Sequence, residues 1–454
     1  MKPLALELND RSVCLARDGV VLASAPSGIY DGSGAEPAGT NAWHALRRQP
    51  RATSSTHLGA VMSQADAPLR AAELVSAELA KLLAQNPLRA DERIWIAVPV
   101  RVDTNGLGNV LGIVQGLGQS VDGFVDAAAV TVSALKTGRT ALVLELGLHH
   151  AAATSVDAGG QARRRRAVVS ENGGLVELYE AWLTFISTAM VKRTRFDPFT
   201  NADTEQQLFD ALPVLTRQAA TTGSTTAAVS NGGTRFEVSL SRDQFAEAAQ
   251  PLYRELIRLL HALRPAGAEV TLVLPESVAA FPGFRELLQQ FVGCELVTVP
   301  EGFAAAAASL LDLPEAVAGE PVRLLRRLPV REQNALNEHV TREVLGGEHA
   351  SFAVPSHVLF AGRAVALNAH SLVVGRALGG AQALSLPEGL AGVSRRHCTF
   401  IRDGNEVVLI DHSNYGTYVN GERVSERVRI RAGDKVRLGE PGIELSLISI
   451  GEVA

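Results

Sequence analysis

Apolar and polar positions alternate with strand and helix periods over roughly the first three hundred residues of the chain. Short apolar runs at Leu4–Leu8, 13–16 and 20–23 are separated by Asn-Asp and Asp-Gly pairs. Such pairs between short strands predict an antiparallel meander. A second series of short runs, at 141–146, 151–156 and 167–169, predicts a second meander.

Each predicted meander is followed by alternating helices and buried strands. Apolar residues at helical spacing and continuous apolar runs distinguish the two kinds of element. Helices are predicted over 67–84, 105–118, 127–135, 244–263, 282–291 and 302–311, with buried strands over 94–100, 120–125 and 270–274. This part of the chain therefore predicts an α/β domain over residues 1–312.

The pattern changes after residue 312. Residues 313–354 contain three prolines and a Gly-Gly pair, which predict a linker with a short amphipathic helix over 330–345. Short strand patterns then recur to the end of the chain, as in a β-sandwich. These strands are predicted at 358–360, 364–367, 372–374, 398–402, 407–411, 417–419, 428–430, 435–438 and 444–448, within a domain over 355–454.

Composition narrows the class of protein. The 454 residues are 46% hydrophobic and 20% charged, with a formal net charge of −5, which is typical of a globular protein and argues against a nucleic-acid partner. An arginine run at 163–166 has no interleaved aromatic residues and is predicted to be a solvated strand edge. Three separated cysteines and the absence of an 18-residue apolar stretch predict a cytoplasmic protein without a membrane span.

Four short motifs in the C-terminal strand region carry the clearest chemistry. They are Gly375-Arg376, Ser394-Arg395-Arg396-His397, Asn414-Tyr415-Gly416-Thr417 and Asn420-Gly421. Each lies in a predicted turn, so that guanidinium, hydroxyl and amide groups meet at one end of the β-structure. This combination suits a tetrahedral oxyanion on a peptide side chain. In order and spacing the motifs resemble those of the forkhead-associated (FHA) domain.

The resemblance implies a role for each motif residue. Arg376, Ser394, Arg395 and Asn414 are expected to contact the phosphate of a phosphothreonine. Tyr415 stands where the family most often has an asparagine that binds the peptide backbone, which leaves the preferred residue after the phosphothreonine open. The remaining motif residues are expected to be structural: Gly375, His397, Gly416, Thr417, Asn420 and Gly421.

The two predicted meanders resemble the internal duplication of the actin and Hsp70 ATPase fold. The segments that carry the likeness are 4–9, 93–99, 124–129, 141–147, 270–275, 281–283 and 299–305. The resemblance implies two phosphate loops and an adenosine loop, which in such ATPases contain aspartates and glycines.

Those nucleotide-site positions have changed in this chain. The first loop begins Glu7-Leu8-Asn9, the second begins Glu145-Leu146-Gly147, and the adenosine loop is Pro275-Glu276. Glutamate replaces aspartate in both phosphate loops, and most of the glycines are gone. We therefore expect a degenerate domain without catalytic residues, metal or bound ATP, in which the two glutamates lie at strand ends facing water. The alternative is that Glu7 and Glu145 still bind magnesium and ATP.

Together these features predict a bacterial cytoplasmic signalling adaptor that is not an enzyme. Its expected partner is a phosphothreonine-bearing protein phosphorylated by a Ser/Thr kinase. Two alternatives remain open from the sequence: an Hsp70-like ATPase or chaperone that the FHA module localises, and an actin-like component that polymerises.

Overall fold

The computed structural model describes residues 2–27, 29–30, 40–51, 53–64, 67–89, 92–171, 173–265, 268–314, 320–331, 335–346, 355–361, 363–367, 371–376, 378, 383–403, 406–430 and 434–448. They form two compact units. The first comprises Met1–Leu263, Val270–Gln289 and Cys294–Glu343, and the second comprises Arg264–Glu269, Gln290–Gly293 and Val344–Ala454. In the described part of the chain, no helix has the length and apolar character needed to cross a bilayer.

The first unit is built from two large sheets, two small ones and twelve α-helices in the ranges described. Its strands are β1 (Leu4–Leu8), β2 (Ser12–Arg17), β3 (Val20–Pro26), β4 (Ile29–Tyr30), β5 (Thr53–Ser54), β6 (Ile94–Val98), β7 (Val121–Asp126), β8 (Ala141–Leu146), β9 (Ala151–Asp157), β10 (Gln161–Ser170), β11 (Ser224–Asn231), β12 (Thr234–Ser241), β13 (Thr271–Pro275), β14 (Glu295–Val299), β15 (Arg323–Leu325), β16 (Arg327–Pro329) and β17 (Thr341–Val344). Its helices are α1 (Thr40–Ala45), α2 (His57–Ser63), α3 (Leu69–Gln85), α4 (Thr104–Gly116), α5 (Ala127–Ser133), α6 (Leu175–Thr194), α7 (Ala202–Thr222), α8 (Arg242–Ala248), α9 (Gln250–Leu263), α10 (Glu276–Ala279), α11 (Phe284–Leu288) and α12 (Phe303–Leu310), with 3-10 turns at Pro198–Thr200 and Ala335–His339.

Six strands follow the same order in both large sheets. One sheet runs β3-β2-β1-β6-β7-β15, and the other runs β10-β9-β8-β13-β14-β17 with β16 added beside β10. In each, an antiparallel meander pairs through its first strand with a parallel strand, as β1 pairs with β6 and β8 with β13. This repeated order is compatible with the actin/Hsp70-like fold that the sequence resembles.

Side-chain size explains how the first strand of each meander is placed. In β1, Leu4, Leu6 and Leu8 pack on one face with α2, α3 and α4, while Ala5 faces the opposite side. Because side chains alternate along a strand, Glu7 shares the face of Ala5. That face lies toward the alanine-rich helices α5 and α12, whose small side chains permit close packing. Glu145 of β8 likewise shares its face with Ala141 and Val143.

The predicted linker contributes strands to both large sheets. β15 pairs with β7 in one sheet, and β16 pairs with β10 in the other. The helix predicted over 330–345 is wrong, because the structure has the 3-10 turn Ala335–His339 and then β17 at the edge of a sheet. Sheet edges satisfy the backbone of these short segments, which local periodicity does not reveal. Residues 347–354 of the predicted linker lie outside the described residues.

The prediction that the arginine run is a solvated strand edge is also wrong in part. Residues 163–166 lie in β10, which β16 covers through the pairing of Arg163 with Arg327. Arg164 donates to Asp126 at 2.6 Å and Arg165 donates to Asp157 at 2.9 Å. Neighbouring carboxylates therefore neutralise part of this run.

The second unit contains a sandwich of two sheets. Its strands are β18 (His357–Phe360), β19 (Arg363–Ala366), β20 (Leu372–Arg376), β21 (Ala383–Leu386), β22 (Cys398–Asp403), β23 (Glu406–Asp411), β24 (Thr417–Val419), β25 (Glu422–Arg423), β26 (Arg427–Ile430), β27 (Lys435–Leu438) and β28 (Ile443–Ile448). The sheets run β19-β18-β28-β27-β24-β25 and β21-β20-β22-β23-β26. Apolar side chains from both sheets form one core, with Phe400 fully buried. The predicted sandwich is confirmed, with β21 and β25 as additional strands.

Candidate functional site

The turn that follows β20 presents Arg376, and the structure shows why a glycine precedes it. A Cβ atom on Gly375 would lie 1.9 Å from the backbone oxygen of Arg395. Arg376 itself receives support from the same loop, because its backbone N–H donates to the carbonyl oxygen of Ser394 at 3.2 Å. The strand end and the loop of residues 394–397 are therefore held in direct contact.

His397 fixes this loop against the next one. It is fully buried, and its Nδ1 accepts a hydrogen bond from the backbone N–H of Ser394 at 3.0 Å. Since Nδ1 accepts, the proton lies on Nε2, which is 3.2 Å from the carbonyl oxygen of Gly416. Burial lowers the pKa of His397, and hydrogen bonding to Gly416 opposes this shift only partly. The neutral ring thus braces two loops.

Asp411 organises the loop that contains Asn414 and Tyr415. Its carboxylate accepts from the backbone N–H of Ser413 at 2.9 Å, and from the hydroxyl of Thr417 at 2.7 Å. Burial acts to raise the pKa of Asp411, but these hydrogen bonds outweigh it and hold the pKa below its usual value. Asp411 was not among the predicted residues. An acidic residue at the end of a strand, six positions before a threonine, is too common a pattern to single out.

The polar groups predicted to bind an oxyanion meet at the surface formed by these loops. The Ser394 hydroxyl oxygen accepts from the backbone N–H of Asn414 at 3.2 Å, which ties the two loops together. The Nε of Arg376 is buried and, within the described ranges, has no hydrogen-bond partner. Arg395 and Asn414 are exposed, as is Tyr415 at 54%. The arrangement offers positively charged donors next to a hydroxyl, with an aromatic ring beside them.

Asn420 and Gly421 form the following turn with positive φ angles of 51° and 90°. The Asn420 amide donates to Asp434 at 2.8 Å and its oxygen accepts from the backbone N–H of Lys435 at 2.9 Å. This turn joins β24 to β25 and lies outside the group of Arg376, Ser394 and Asn414. Its predicted structural role is consistent with these contacts.

Comparison with known families agrees with this geometry. The FHA domain family model matches residues 372–439. The C-terminal unit carries an FHA domain. That assignment implies binding of phosphothreonine peptides in signalling and phosphothreonine-bearing protein partners. No curated protein matches the chain significantly.

The first unit contains a separate cavity between its two meanders. It has a volume of about 120 Å³, and five of the six predicted vestigial nucleotide-site residues line it: Glu7, Asn9, Glu145, Gly147 and Pro275. Glu276, the sixth, is the first residue of α10. The two repeats thus bring together residues that are far apart in the sequence.

The two glutamates of this cavity are half-buried at their strand ends, so the expectation that they face water is only partly correct. Burial raises the pKa of Glu7, although hydrogen bonds from the backbone of Ala305 and Ala304 oppose it. Burial and the nearby charge of Asp126 raise the pKa of Glu145 to about 8. One carboxyl oxygen of Glu145 is buried without a hydrogen-bond partner in the described structure. Both carboxyls are therefore held in an environment that disfavours their negative charge.

Proposed function

We propose that this protein is a cytoplasmic adaptor that binds phosphothreonine-containing partners through its FHA domain. The observation that carries the proposal is the braced pair of loops on which Arg376, Ser394 and Asn414 converge. Arg376, Ser394 and Arg395 supply the phosphate contacts, with Asn414 as a further donor. The partner in this account is a protein phosphorylated by a Ser/Thr kinase, and Tyr415 contacts the peptide beside the phosphothreonine.

Several contacts support a site that is organised before a peptide binds. His397 and Ser394 link the two loops through two hydrogen bonds of 3.2 Å, and a third of 3.0 Å holds the loop of residues 394–397 together. Preformed loops reduce the ordering entropy that binding must overcome. In the described structure neither Arg376 nor Arg395 has a carboxylate partner, so both guanidinium groups are free for a dianion.

The N-terminal unit acts in this proposal as a protein-binding scaffold without catalysis. Both phosphate loops lack the aspartate of the ATPases that they resemble, and the half-buried side chains of Glu7 and Glu145 line the cavity where a nucleotide would bind. Neither ATP nor a metal ion is part of the proposed mechanism. The chemistry of the molecule is recognition through the C-terminal site.

A pull-down from native lysate, with and without phosphatase treatment, tests the proposal. The bait is the full-length chain, and the parallel bait is the Arg376→Ala variant. We expect the same partners to be lost on phosphatase treatment and on substitution of Arg376. Partners that survive both changes would contradict the proposed function.

A further inference from the structure

Asp10 lies in the first meander, in the turn between β1 and β2, but its carboxylate bonds to the second meander. It is 1% exposed. One oxygen accepts from the backbone N–H of Leu148 at 3.0 Å, and the other accepts from the backbone N–H of His149 at 3.4 Å. The Nδ1 of His150 lies 3.1 Å from the same second oxygen. The carboxylate thus accepts from two successive backbone N–H groups and contacts the ring of the next residue, whose Nδ1 also lies 3.0 Å from Nη1 of Arg101.

The loop around this carboxylate is shaped for an anion. Gly147 has no side chain, and a Cβ atom there would lie 2.3 Å from the Asp10 oxygen. Two successive backbone N–H groups that point into one concave space form an anion site in many proteins. The loop carbonyls are bonded elsewhere, since the N–H groups of Leu175 and Val176, at the start of α6, donate to the oxygens of Gly147 and Leu148 at 2.9 Å. Two carbonyl oxygens of the loop therefore have donors of their own, while the N–H groups of Leu148 and His149 bind Asp10.

Hydrogen bonding also stabilises the charge of Asp10. Burial acts to raise the pKa of Asp10, but the His150 ring and the two loop amides together hold it below its usual value. Asp10 is therefore ionised at neutral pH, and its negative charge suits the N–H groups of the loop.

A nucleoside polyphosphate does not fit this arrangement. The amides that would bind its phosphates are occupied, and Glu7, Glu145 and Glu301 add carboxyl groups around the adjoining cavity. Arg11 also lines the cavity, and its guanidinium donates to Ser277 at 2.9 Å. A volume of about 120 Å³ is moreover smaller than the cavities of 300 Å³ or so that hold drug-sized ligands.

We propose that residues 147–150 form an oxyanion cradle that the chain has filled with its own Asp10 carboxylate. The side chain takes the place of a phosphate group and joins the turns of the two meanders. This internal ligand closes the cavity to nucleotides. Removal of the carboxylate opens a site for a small tetrahedral oxyanion such as inorganic phosphate.

The test uses the full-length chain in the Arg376→Ala background, in which the FHA phosphate site is weakened. The outcome is then independent of the proposed phosphothreonine binding. Hydrogen exchange of the amides of residues 147–150 is measured by mass spectrometry with and without inorganic phosphate. The variants are Asp10→Ala and, as a matched control, Asp10→Asn, whose amide oxygen still accepts one hydrogen bond.

With Asp10 present, we expect slow exchange that phosphate leaves unchanged. In Asp10→Ala, exchange without phosphate should be roughly tenfold faster or more, because the amides lose a charge-assisted partner. Phosphate should slow it again in a saturable manner and raise the Tm. Asp10→Asn should respond little to phosphate.

Three results would overturn the proposal. The first is protection of these amides by phosphate while Asp10 is present. This measurement needs no Asp10 variant. The second is unchanged exchange in Asp10→Ala, and the third is faster exchange that phosphate does not reverse. If Asp10→Ala fails to fold, Asp10→Ser provides the same comparison with a side chain too short to span the loop.

Discussion

The buried Nε of Arg376 has no hydrogen-bond partner among the described residues, although the backbone N–H of Arg376 donates to the carbonyl oxygen of Ser394. A buried donor without a partner costs free energy unless a ligand satisfies it. Phosphate oxygens are suitable acceptors because arginine forms charge-assisted hydrogen bonds with them. At this residue the protein therefore has a hydrogen-bond donor that its described residues do not use.

Arg376→Ala should weaken binding of a phosphothreonine peptide by at least about tenfold. Each charge-assisted hydrogen bond contributes roughly 1.5 to 3 kcal/mol, and about 1.4 kcal/mol corresponds to a factor of ten. Fluorescence anisotropy with a labelled peptide measures the Kd. Arg363→Ala is the matched control, since Arg363 is exposed on the edge strand β19 of the other sheet. Equal losses in both variants would rule out a specific role for Arg376.

Protonation of His397 should loosen the FHA loops. Its folded-state pKa lies below the ordinary value of 6.5, so the unfolded chain binds the proton more readily than the folded one. The stability that the neutral ring provides is present above about pH 6.5 and is lost as the pH falls through the folded pKa. Native-state hydrogen exchange over residues 394–397 should therefore show a falling free energy of opening below that pH.

Two variants separate this effect from that of the neighbouring histidine. His397→Gln should lower the free energy of opening at neutral pH and remove most of its pH dependence. His412→Gln is the control, because His412 is exposed and its pKa is lowered by weaker burial and by Arg396. If His412→Gln removed the pH dependence instead, the assignment to His397 would be incorrect.

At the level of elements, β15 and β16 tie the two large sheets to one short stretch of chain. Only one residue, Arg326, separates them, yet they pair with strands of different sheets. Leu328 of β16 is 1% exposed and belongs to the core that α5 and α12 share with both sheets. The N-terminal fold therefore extends beyond residue 312, where the sequence pattern predicts its end.

A chain that ends at residue 312 should be less stable than one that ends at residue 346, because each large sheet loses an edge strand. In the full-length chain, Leu328→Ala should cost about 2 to 5 kcal/mol of unfolding free energy, as expected for a buried leucine. Val344→Ala is the control, since Val344 is 63% exposed. Thermal melts compare all four chains. A melting temperature for the 312-residue chain equal to that of the 346-residue chain would show that residues 313–346 do not stabilise the N-terminal unit.

Sequence patterns predict those helices and strands whose own apolar residues show a clear periodicity. The strands β1 and β8 follow from their apolar residues, and β24 and β27 are predicted with the bounds that the structure has. The long helices α6 and α7 are not predicted, because polar and aromatic residues interrupt their apolar stripes. The three-residue strands β15 and β16 exist only because distant sheet edges are available to pair with them. No local pattern contains that information.

The same distinction applies to the two sites. Gly375 and His397 are recognisable because the motif spacing is fixed by neighbouring turns. Asp10 reads as an ordinary turn residue, and its bond to Leu148 depends on how the two repeats pack. Contacts between residues far apart in the sequence, such as Asp10 and Leu148, are found only from the structure.

At the level of the whole molecule, one chain carries an FHA recognition domain and a domain in which Asp10 occupies the oxyanion cradle of residues 147–150. Isothermal titration of the full-length chain with Mg-ATP should give no saturable heat, and Glu145→Ala should leave that result unchanged. Micromolar binding, with hydrolysis that Glu145→Ala abolishes, would instead establish a nucleotide-driven enzyme. Sedimentation at rising protein concentration examines the remaining alternative, a polymerising component, for which sedimentation coefficients would rise with concentration.

The most direct test of the central claim is the affinity of the full-length chain for matched peptides. A library with a fixed phosphothreonine is compared by anisotropy with the same library carrying unmodified threonine. We predict saturable binding of the phosphorylated library alone, because only the dianion can satisfy Arg376 and Arg395 together. Equal binding of the two libraries would contradict the assignment of this protein as a phosphothreonine reader.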